Sequence, residues 1–373
     1  MVTVHKTSTT LADGRELIYF DDREPWVSGT QTRTLEDPRE LPPCSSLSEM
    51  RRDPLTGDWV VMAAHRMNRT FMPPANENPL APTKPGELPT EIPADDYDVV
   101  VFENRFPSLN MHMEVGEEFE TLVDGFVERA PALGRCEVVC FTADPNSSFR
   151  DLPLTRVRTV IEAWVDRTRE LSQLPGIRSV FPFENRGPEI GVTLQHPHGQ
   201  IYSYPFLPPR TRAIVEQAKA YKERTGNDLF QDVIAAEEHG DRVIWNTEHW
   251  IGYVPAAAKW PLEIILTPKR KVADFTELSD DEKEELAALY LDILQRVDRF
   301  FEGIEKTPYI AAWNQAPVGK DREFGRFHLH LFSLMRSPGR MKYLAGTESA
   351  MGAWNNDTTP ELIAARLKEV AND

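Results

Sequence analysis

The sequence has few cysteines, no long apolar run and no excess of basic residues. Its three cysteines, Cys44, Cys136 and Cys140, form no Cys-x-x-Cys pair, which argues against a disulfide scaffold and fits a reducing cytoplasm. No apolar stretch approaches the roughly 18 residues that a membrane span needs. The segment 1–10 lacks the apolar core of a signal peptide. We therefore expect a cytoplasmic protein that has no membrane partner.

The charge balance is strongly acidic and restricts the classes of partner. Asp and Glu number 59 against 42 Lys and Arg, which gives a formal net charge of −17. Such a chain is poorly suited to nucleic acid or anionic membranes, so any phosphate it binds must meet a local group of basic side chains. The 373 residues, 40% hydrophobic and 27% charged, are typical of a soluble globular protein with two domains.

One pattern occurs twice along the chain. The first copy contains a strand at 138–142, an amphipathic helix at about 155–174, a strand that ends at Asn185, and then a His-x-His pair at 196–198. The second copy contains a strand at 263–267, a helix that begins at Ser279, a strand that ends at Asn314, and a His-x-His pair at 328–330. The order predicts a duplicated α+β unit.

The remaining segments complete the predicted organisation. We expect an N-terminal domain over 1–208 and a C-terminal domain over 209–373, joined by polar helices at 209–241. A proline cluster at 73–93 predicts an extended loop that wraps a surface. The stretch 358–370 has the pattern of a C-terminal helix. A capping box of Ser279 and Glu282 marks the start of the second amphipathic helix.

The most informative segment reads His196-Pro197-His198-Gly199-Gln200. On a β-strand, alternate side chains share a face, so both imidazoles and the amide would point the same way. Because Pro197 and Gly199 are poor strand formers, the segment predicts an edge or terminal strand near a ligand. A neutral imidazole with one nitrogen held by an acceptor is a competent nucleophile toward phosphorus. The alternative is that the two histidines bind a metal.

Gln200 favours the nucleophile interpretation. A glutamine cannot protonate a leaving group or activate water, but it can donate a hydrogen bond to a phosphoryl oxygen. This suits a reaction whose leaving group is itself a phosphate. The alternative is a polar side chain that solubilises the strand.

Three further segments are candidates for ligand contact. Asn185, Gly191 and Thr193 precede the histidine strand and could cradle a phosphate through backbone N–H groups, or form a plain turn. Arg66 and Arg69 follow the strand 59–62 and could clamp a diphosphate, or be an ordinary solvated pair.

Asn104 and Phe106 follow the apolar strand 99–102. An amide beside an aromatic ring suits contacts to a nucleotide base or ribose, and Phe106 would equally suit a hydrophobic core.

The chain resembles the galactose-1-phosphate uridylyltransferases, a branch of the histidine-triad superfamily. The motif at 196–200 resembles their active-site motif. Other matching segments follow in order between about Arg51 and Glu348: 53–59 (Asp-Pro-Leu-Thr-Gly-Asp-Trp), 183–187 (Phe-Glu-Asn-Arg-Gly), 206–208 (Phe-Leu-Pro), 247–250 (Thr-Glu-His-Trp), 260–263 (Trp-Pro-Leu-Glu) and 342–346 (Lys-Tyr-Leu-Ala-Gly).

The resemblance implies a fold, a reaction and a set of site residues. The fold is a tandem pair of histidine-triad-like α+β units, each an antiparallel sheet with packed helices. The reaction is ping-pong transfer of UMP from UDP-glucose to galactose 1-phosphate. The catalytic residues implied are His198 as the nucleophile, Gln200 as the residue that holds the uridylyl phosphate, and His196. The substrate-binding residues implied are Arg66, Arg69, Asn104, Asn185, Gly191, Thr193, Gln200, Lys342 and Glu348. The family forms homodimers, in which the Lys342 segment would come from the partner.

Two other functions remain open at this point. A phosphorylase of the same superfamily, acting on nucleoside-diphosphate sugars or dinucleoside polyphosphates, shares the His-x-His-x-Gln pattern. A non-enzymatic sensor or metal-binding module could be built on the histidine pairs, although the intact nucleophile and Gln200 disfavour it.

The chain departs from the family at its metal sites. Family members bind zinc through a Cys-x-x-Cys, a later histidine and the histidine that matches His196. Here the Cys-x-x-Cys region reads Pro79-Leu80-Ala81-Pro82, and the later histidine is replaced around Pro145 and Asn146. Of a second site only His328 and His330 remain, with Ile214 and Asn314 at the other positions, and we interpret this pair as core residues. We therefore expect activity with no required metal or cofactor.

Overall fold

The computed structural model describes residues 3–34, 36–42, 48–64, 77–111 and 119–372. The described residues form seventeen strands: β1 (His5–Thr10), β2 (Glu16–Asp21), β3 (Glu49–Arg52), β4 (Trp59–Met62), β5 (Val99–Glu103), β6 (Leu122–Val123), β7 (Val127–Pro131), β8 (Arg135–Cys140), β9 (Ser179–Arg186), β10 (His198–Tyr204), β11 (Val243–Asn246), β12 (Trp250–Tyr253), β13 (Leu262–Pro268), β14 (Tyr309–Asn314), β15 (His328–Ser333), β16 (Met335–Ser337) and β17 (Arg340–Met341). The α-helices are α1 (Leu154–Ser172), α2 (Pro209–Thr225), α3 (Leu229–Glu237), α4 (Asp280–Arg299), α5 (Gly346–Ser349) and α6 (Pro360–Glu369).

Eleven of the strands form one antiparallel sheet in the order β1-β2-β5-β8-β10-β9-β14-β15-β13-β12-β11. The order is symmetric about the pair β9 and β14, because β10 matches β15, β8 matches β13 and β5 matches β12. This arrangement confirms the predicted α+β duplication. The two units do not keep separate sheets, however, since β9 pairs with β14 and joins them edge to edge.

Helices α1 and α4 occupy equivalent places in the two units and pack on the same face of the sheet. Their apolar stripes are buried as the periodicity predicts, and the Ser279 and Glu282 capping box begins α4. Trp164 of α1 lies against Trp313 of β14, with ring centroids 5.5 Å apart, and against Phe275 at 5.4 Å. The aromatic core therefore crosses the boundary between the units.

The described part of the proline-rich segment covers the other face of the sheet. Leu80, Ile92 and Tyr97 are buried against Phe102 of β5 and Val138 of β8. Residues 77–98 form turns and loops, and their β-pairing is limited to a single bridge between Pro82 and Ile92. The expectation of an extended loop that wraps a surface is confirmed for these residues.

Two peripheral features complete the fold. A small sheet in the order β4-β3-β7-β6 lies apart from the main sheet. In the ranges given above, no helix combines the length and the apolar character that crossing a bilayer requires.

The position of β10 corrects one prediction. β10 lies between β8 and β9 in the interior of the sheet, and it begins at His198, so the motif is not on an edge strand. Gly199 has a packing role instead: a Cβ there would lie 2.8 Å from Cζ of Phe141 and 2.9 Å from the carbonyl oxygen of Phe183. Only a residue without a side chain lets the three groups meet.

This packing predicts that Gly199→Ala destabilises the protein by about 1–3 kcal/mol, the usual range for overpacking a tight interior. The free energy of unfolding in urea would measure it. Gly346→Ala is the matched control, because a Cβ at Gly346 meets nothing within 4 Å, and it should change stability by less than about 0.5 kcal/mol. Equal stabilities of the two variants would contradict the packing role.

Candidate active site

A cavity of about 550 Å³ opens on the face of the sheet that the proline-rich segment covers. Strands β5, β8, β9 and β10 form its floor, and the segments 79–80, 104–106 and 190–194 form its walls. Its lining residues are Pro79, Leu80, Glu91, Phe102, Asn104, Arg105, Phe106, Val138, Phe183, Asn185, Ile190, Gly191, Val192, Thr193, Leu194, His198, Gln200 and Tyr202. The volume falls in the range of small-molecule sites.

His198 is held in one tautomer at the floor of this cavity. Its Nδ1 donates a hydrogen bond to the backbone carbonyl of His196, with 2.7 Å between the two atoms. A carbonyl oxygen can only accept, so Nδ1 carries the proton and Nε2 carries the lone pair. Burial lowers the pKa of His198, although the bond to the carbonyl opposes this. The ring is therefore neutral at physiological pH.

Gln200 and Tyr202 follow His198 on the same face of β10. The burial along the strand alternates, so these three side chains face the cavity while Gly199 and Ile201 face the helical core. The predicted alternation is thus confirmed from His198 onward. The sequence analysis did not single out Tyr202, although the same two-residue period would have predicted it.

The structure brings the amide and loop candidates to the same cavity. Asn104 directly follows β5, and its Oδ1 accepts a hydrogen bond from the backbone N–H of Phe106 at 2.9 Å. Both residues line the cavity. Asn185 lies near the end of β9, and Thr193 lies on the loop before His196.

Gly191 lines the cavity but does not offer its N–H as a phosphate cradle would. It adopts φ +80° and closes the short turn 188–190, where its N–H donates to the carbonyl of Pro188 at 3.0 Å. The positive φ favours glycine at this position.

Glu91 is a lining residue that the sequence analysis missed. It accepts hydrogen bonds from Arg15 at 2.5 Å and Arg39 at 2.9 Å, and Arg105 lies 3.7 Å away. These groups converge from three distant parts of the chain, so no local pattern indicates them.

His196 differs from the prediction. It precedes β10, is buried, and is not among the residues that line this cavity, although a second cavity of about 350 Å³ is lined by both His196 and His198. Its Nε2 lies 2.7 Å from the carbonyl of Thr142 and 2.9 Å from the hydroxyl of Tyr97, and its Nδ1 lies 3.1 Å from Nδ2 of Asn78. The backbone bends at His196, just before β10 begins. Burial lowers the pKa of His196 to about 4.

These contacts do not fit a zinc site. Metal binding through Nδ1 needs its lone pair, and the amide of Asn78 occupies that direction. Among residues 3–34, 36–42, 48–64, 77–111 and 119–372, no three His, Cys, Asp or Glu side chains gather into a set that could bind a metal. Cys44 lies outside these ranges.

The second histidine pair is also engaged in hydrogen bonds. Nδ1 of His328 donates to the carbonyl of Arg326 at 2.9 Å, and Nε2 of His330 lies 2.8 Å from a carboxylate oxygen of Glu263. Both rings are buried, and burial lowers the pKa of each. Asn314, which we expected to replace a family metal ligand, donates to the carbonyl of Ala312 at 3.1 Å.

Two predicted substrate-binding residues, Lys342 and Glu348, do not line this cavity. Lys342 and Glu348 form a buried ion pair with each other at 2.9 Å, in the segment after β17. Arg66 and Arg69 lie outside the described residues.

Comparison with known proteins gives consistent matches over almost the whole chain. Residues 39–208 match the model of the galactose-1-phosphate uridyl transferase N-terminal domain, and residues 214–373 match that of its C-terminal domain. A galactose-1-phosphate uridylyltransferase of Streptomyces lividans is 45% identical, with 98% of each chain covered. One of Thermotoga maritima is 34% identical over 87% of this chain and 98% of its own.

Solved structures agree with these matches. A uridylyltransferase structure has a TM-score of 0.76 at 30% identity, covering 87% of this chain and 98% of that one. An ADP-glucose phosphorylase from Arabidopsis thaliana, at 22% identity and a TM-score of 0.64 over 86% and 99% of the two chains, shares the fold. The family models and the two curated relatives together establish that this chain belongs to the galactose-1-phosphate uridylyltransferase family.

Proposed function

We propose that this protein transfers UMP from UDP-glucose to galactose 1-phosphate through a covalent uridylyl-His198 intermediate. The observation that carries the proposal is the hydrogen bond from Nδ1 of His198 to the His196 carbonyl, because it leaves Nε2 as the nucleophile beside a cavity of nucleotide size. The family membership supports the substrates.

In the first half-reaction, the lone pair of His198 Nε2 forms a bond to the α-phosphorus of UDP-glucose. The bond from that phosphorus to the bridging oxygen breaks, and glucose 1-phosphate leaves with the electron pair. The imidazole gains positive charge while Nδ1 keeps its proton. The carbonyl of His196 stabilises this charge because its dipole already points at Nδ1.

Gln200 suits the phosphoryl group of the same intermediate. Its amide can donate a hydrogen bond to a non-bridging oxygen. Glutamine is not an acid, and a departing phosphate needs no proton from it. In the second half-reaction an oxygen of galactose 1-phosphate attacks the phosphorus, the P–N bond breaks, and neutral His198 is restored. Leu80, Phe102 and Phe106, which line the cavity, suit apolar contact with a nucleobase.

We further propose that the active protein is a cytoplasmic homodimer. The family resemblance implies that the segment with Lys342 comes from the partner. Exposed apolar side chains on the small sheet and its turn, Val60, Met62, Leu122 and Phe126, suit a dimer interface. Cys140 is a buried free thiol, as a reducing compartment allows.

Labelling tests the covalent step. Protein incubated with UDP-glucose labelled at the α-phosphorus, without acceptor, should take up acid-labile label, and galactose 1-phosphate should discharge it as UDP-galactose. His198→Ala should take up none, because it lacks the nucleophile. His328→Ala, in the matching strand of the second unit, should label like the wild type.

Two outcomes would contradict this proposal. Label on His198→Ala would place the nucleophile elsewhere. Label from an adenine nucleotide but none from UDP-glucose would assign the protein to the phosphorylases of the superfamily.

The lowered pKa of His198 predicts how labelling depends on pH. Neutral Nε2 is the reactive form, so the first-order labelling rate should be constant at neutral pH and fall only as the pH drops through the lowered pKa. The midpoint should therefore lie below the ordinary histidine value of about 6.5. Rapid-quench rates between pH 5 and 8 would measure it, and a midpoint above the ordinary value would contradict the buried, neutral ring.

We also propose that the reaction needs no metal. Displacement at a phosphoanhydride requires positioning and neutralisation of charge, and both ring nitrogens of His196 already have protein partners. Treatment with EDTA or 1,10-phenanthroline should leave the turnover rate unchanged, and elemental analysis should find less than stoichiometric zinc and iron. Stoichiometric metal in protein purified without added metal would overturn this prediction.

A further inference from the structure

The nucleophile is held by a carbonyl that belongs to another histidine. The His196 carbonyl fixes the tautomer of His198, so the position of His196 decides where Nε2 points. Only Pro197 separates the two residues, which makes the link short and stiff. Contacts that restrain the His196 ring therefore also restrain the nucleophile, His198.

Asn78 contacts one side of that ring in a defined orientation. Its Oδ1 accepts the backbone N–H of Leu80 at 3.0 Å, so its Nδ2 must face His196, where it donates to Nδ1 at 3.1 Å. An N–H donor at Nδ1 requires a lone pair there. Asn78 thus selects the tautomer of His196 that has its proton on Nε2.

On the other side of the ring, Tyr97 and Thr142 accept hydrogen bonds from Nε2–H of His196. The Tyr97 hydroxyl donates to the carbonyl of Leu80 at 2.9 Å, so toward His196 it acts as an acceptor, 2.9 Å from Nε2. The Thr142 carbonyl accepts from the same Nε2–H at 2.7 Å. Every polar atom of the His196 ring is paired, and all of the donor and acceptor roles agree.

We propose that Asn78 and Tyr97 are positioning residues for His198, and that this hydrogen-bonded clamp on His196 replaces the metal that the family resemblance implies there. The inference rests on the proposed function and adds to it: the clamp sets the tautomer and place of His196, whose carbonyl sets those of His198. Neither residue lines the cavity. Leu80 couples the two, because its N–H and its carbonyl bind Asn78 and Tyr97 respectively.

Single-turnover labelling of variants tests the clamp. Asn78→Ala leaves Nδ1 of His196 without its donor, and Tyr97→Phe removes one acceptor while Thr142 remains. We expect the first-order labelling rate to fall about 10- to 100-fold in Asn78→Ala and less in Tyr97→Phe, because small misplacements of a reacting group cost this much. The fraction of chains labelled at completion and the dissociation constant for UDP should stay at wild-type values.

Gln315→Ala is the matched control. Like Asn78, Gln315 is a carboxamide whose oxygen accepts a backbone N–H, here from Phe275 at 3.1 Å. Gln315 is buried, and its amide donates to the carbonyl of Val180 at 3.0 Å. It contacts neither histidine of the motif in the described structure. Its loss should lower the melting temperature as Asn78→Ala does, yet leave the labelling rate unchanged.

The results separate the two proposals. Wild-type protein that takes no label overturns the proposed function. A normal rate in Asn78→Ala, or a reduced labelled fraction at a normal rate, overturns the positioning role and leaves the function intact.

A second readout of the clamp needs no activity. Nuclear magnetic resonance of protein with ¹⁵N-labelled histidine, assigned with His196→Ala and His198→Ala, should show His196 protonated on Nε2 and His198 on Nδ1. In Asn78→Ala the His198 signals should shift toward a mixture of tautomers. Unchanged His198 signals in that variant would contradict the clamp.

Discussion

The hydrogen bond between Nδ1 of His198 and the His196 carbonyl connects the local sequence motif to the rest of the fold. It fixes which ring nitrogen carries a lone pair, and it forms where the backbone bends at His196, just before β10 begins. At that bend the side chain of His196 is held by Asn78, Tyr97 and Thr142 and does not line the cavity of Gln200. A neutral nucleophile at the cavity and a buried, fully bonded histidine behind it are two results of one backbone conformation.

The interior position of β10 stabilises this conformation. β10 is hydrogen-bonded to β8 on one side and β9 on the other, and Gly199 lets Phe141 and the Phe183 carbonyl approach the strand closely. The second unit contributes through β14, which pairs with β9, and through an aromatic core shared between α1 and α4. Its own histidines form core contacts, with His330 bonded to Glu263. The duplicated half thus supports the sheet that carries the cavity.

Hydrogen bonds and a metal can restrain a histidine to similar effect, but they depend on different residues. A zinc site needs several thiolate or imidazole ligands at one point. The clamp around His196 needs one amide, one hydroxyl and two backbone carbonyls, and all of its members are neutral. Burying neutral, fully paired groups avoids the desolvation cost of a charged site. The proline-rich segment supplies both Asn78 and the Leu80 backbone, which explains its close packing on the sheet.

The sequence by itself determined the features that depend on neighbours along the chain. The period of two from His198 to Gln200, the amphipathic stripes of α1 and α4, the capping box at Ser279 and the repeated order of elements are local patterns, and the structure confirms them. Asn104 and Asn185 were predicted for the same reason, since Asn104 directly follows β5 and Asn185 lies near the end of β9. Only the tertiary structure decided that β10 is an interior strand, that the two units share one sheet, and that Asn78, Tyr97 and Thr142 meet at His196. These contacts join residues far apart in sequence, and long-range pairing leaves no periodic trace in any one segment.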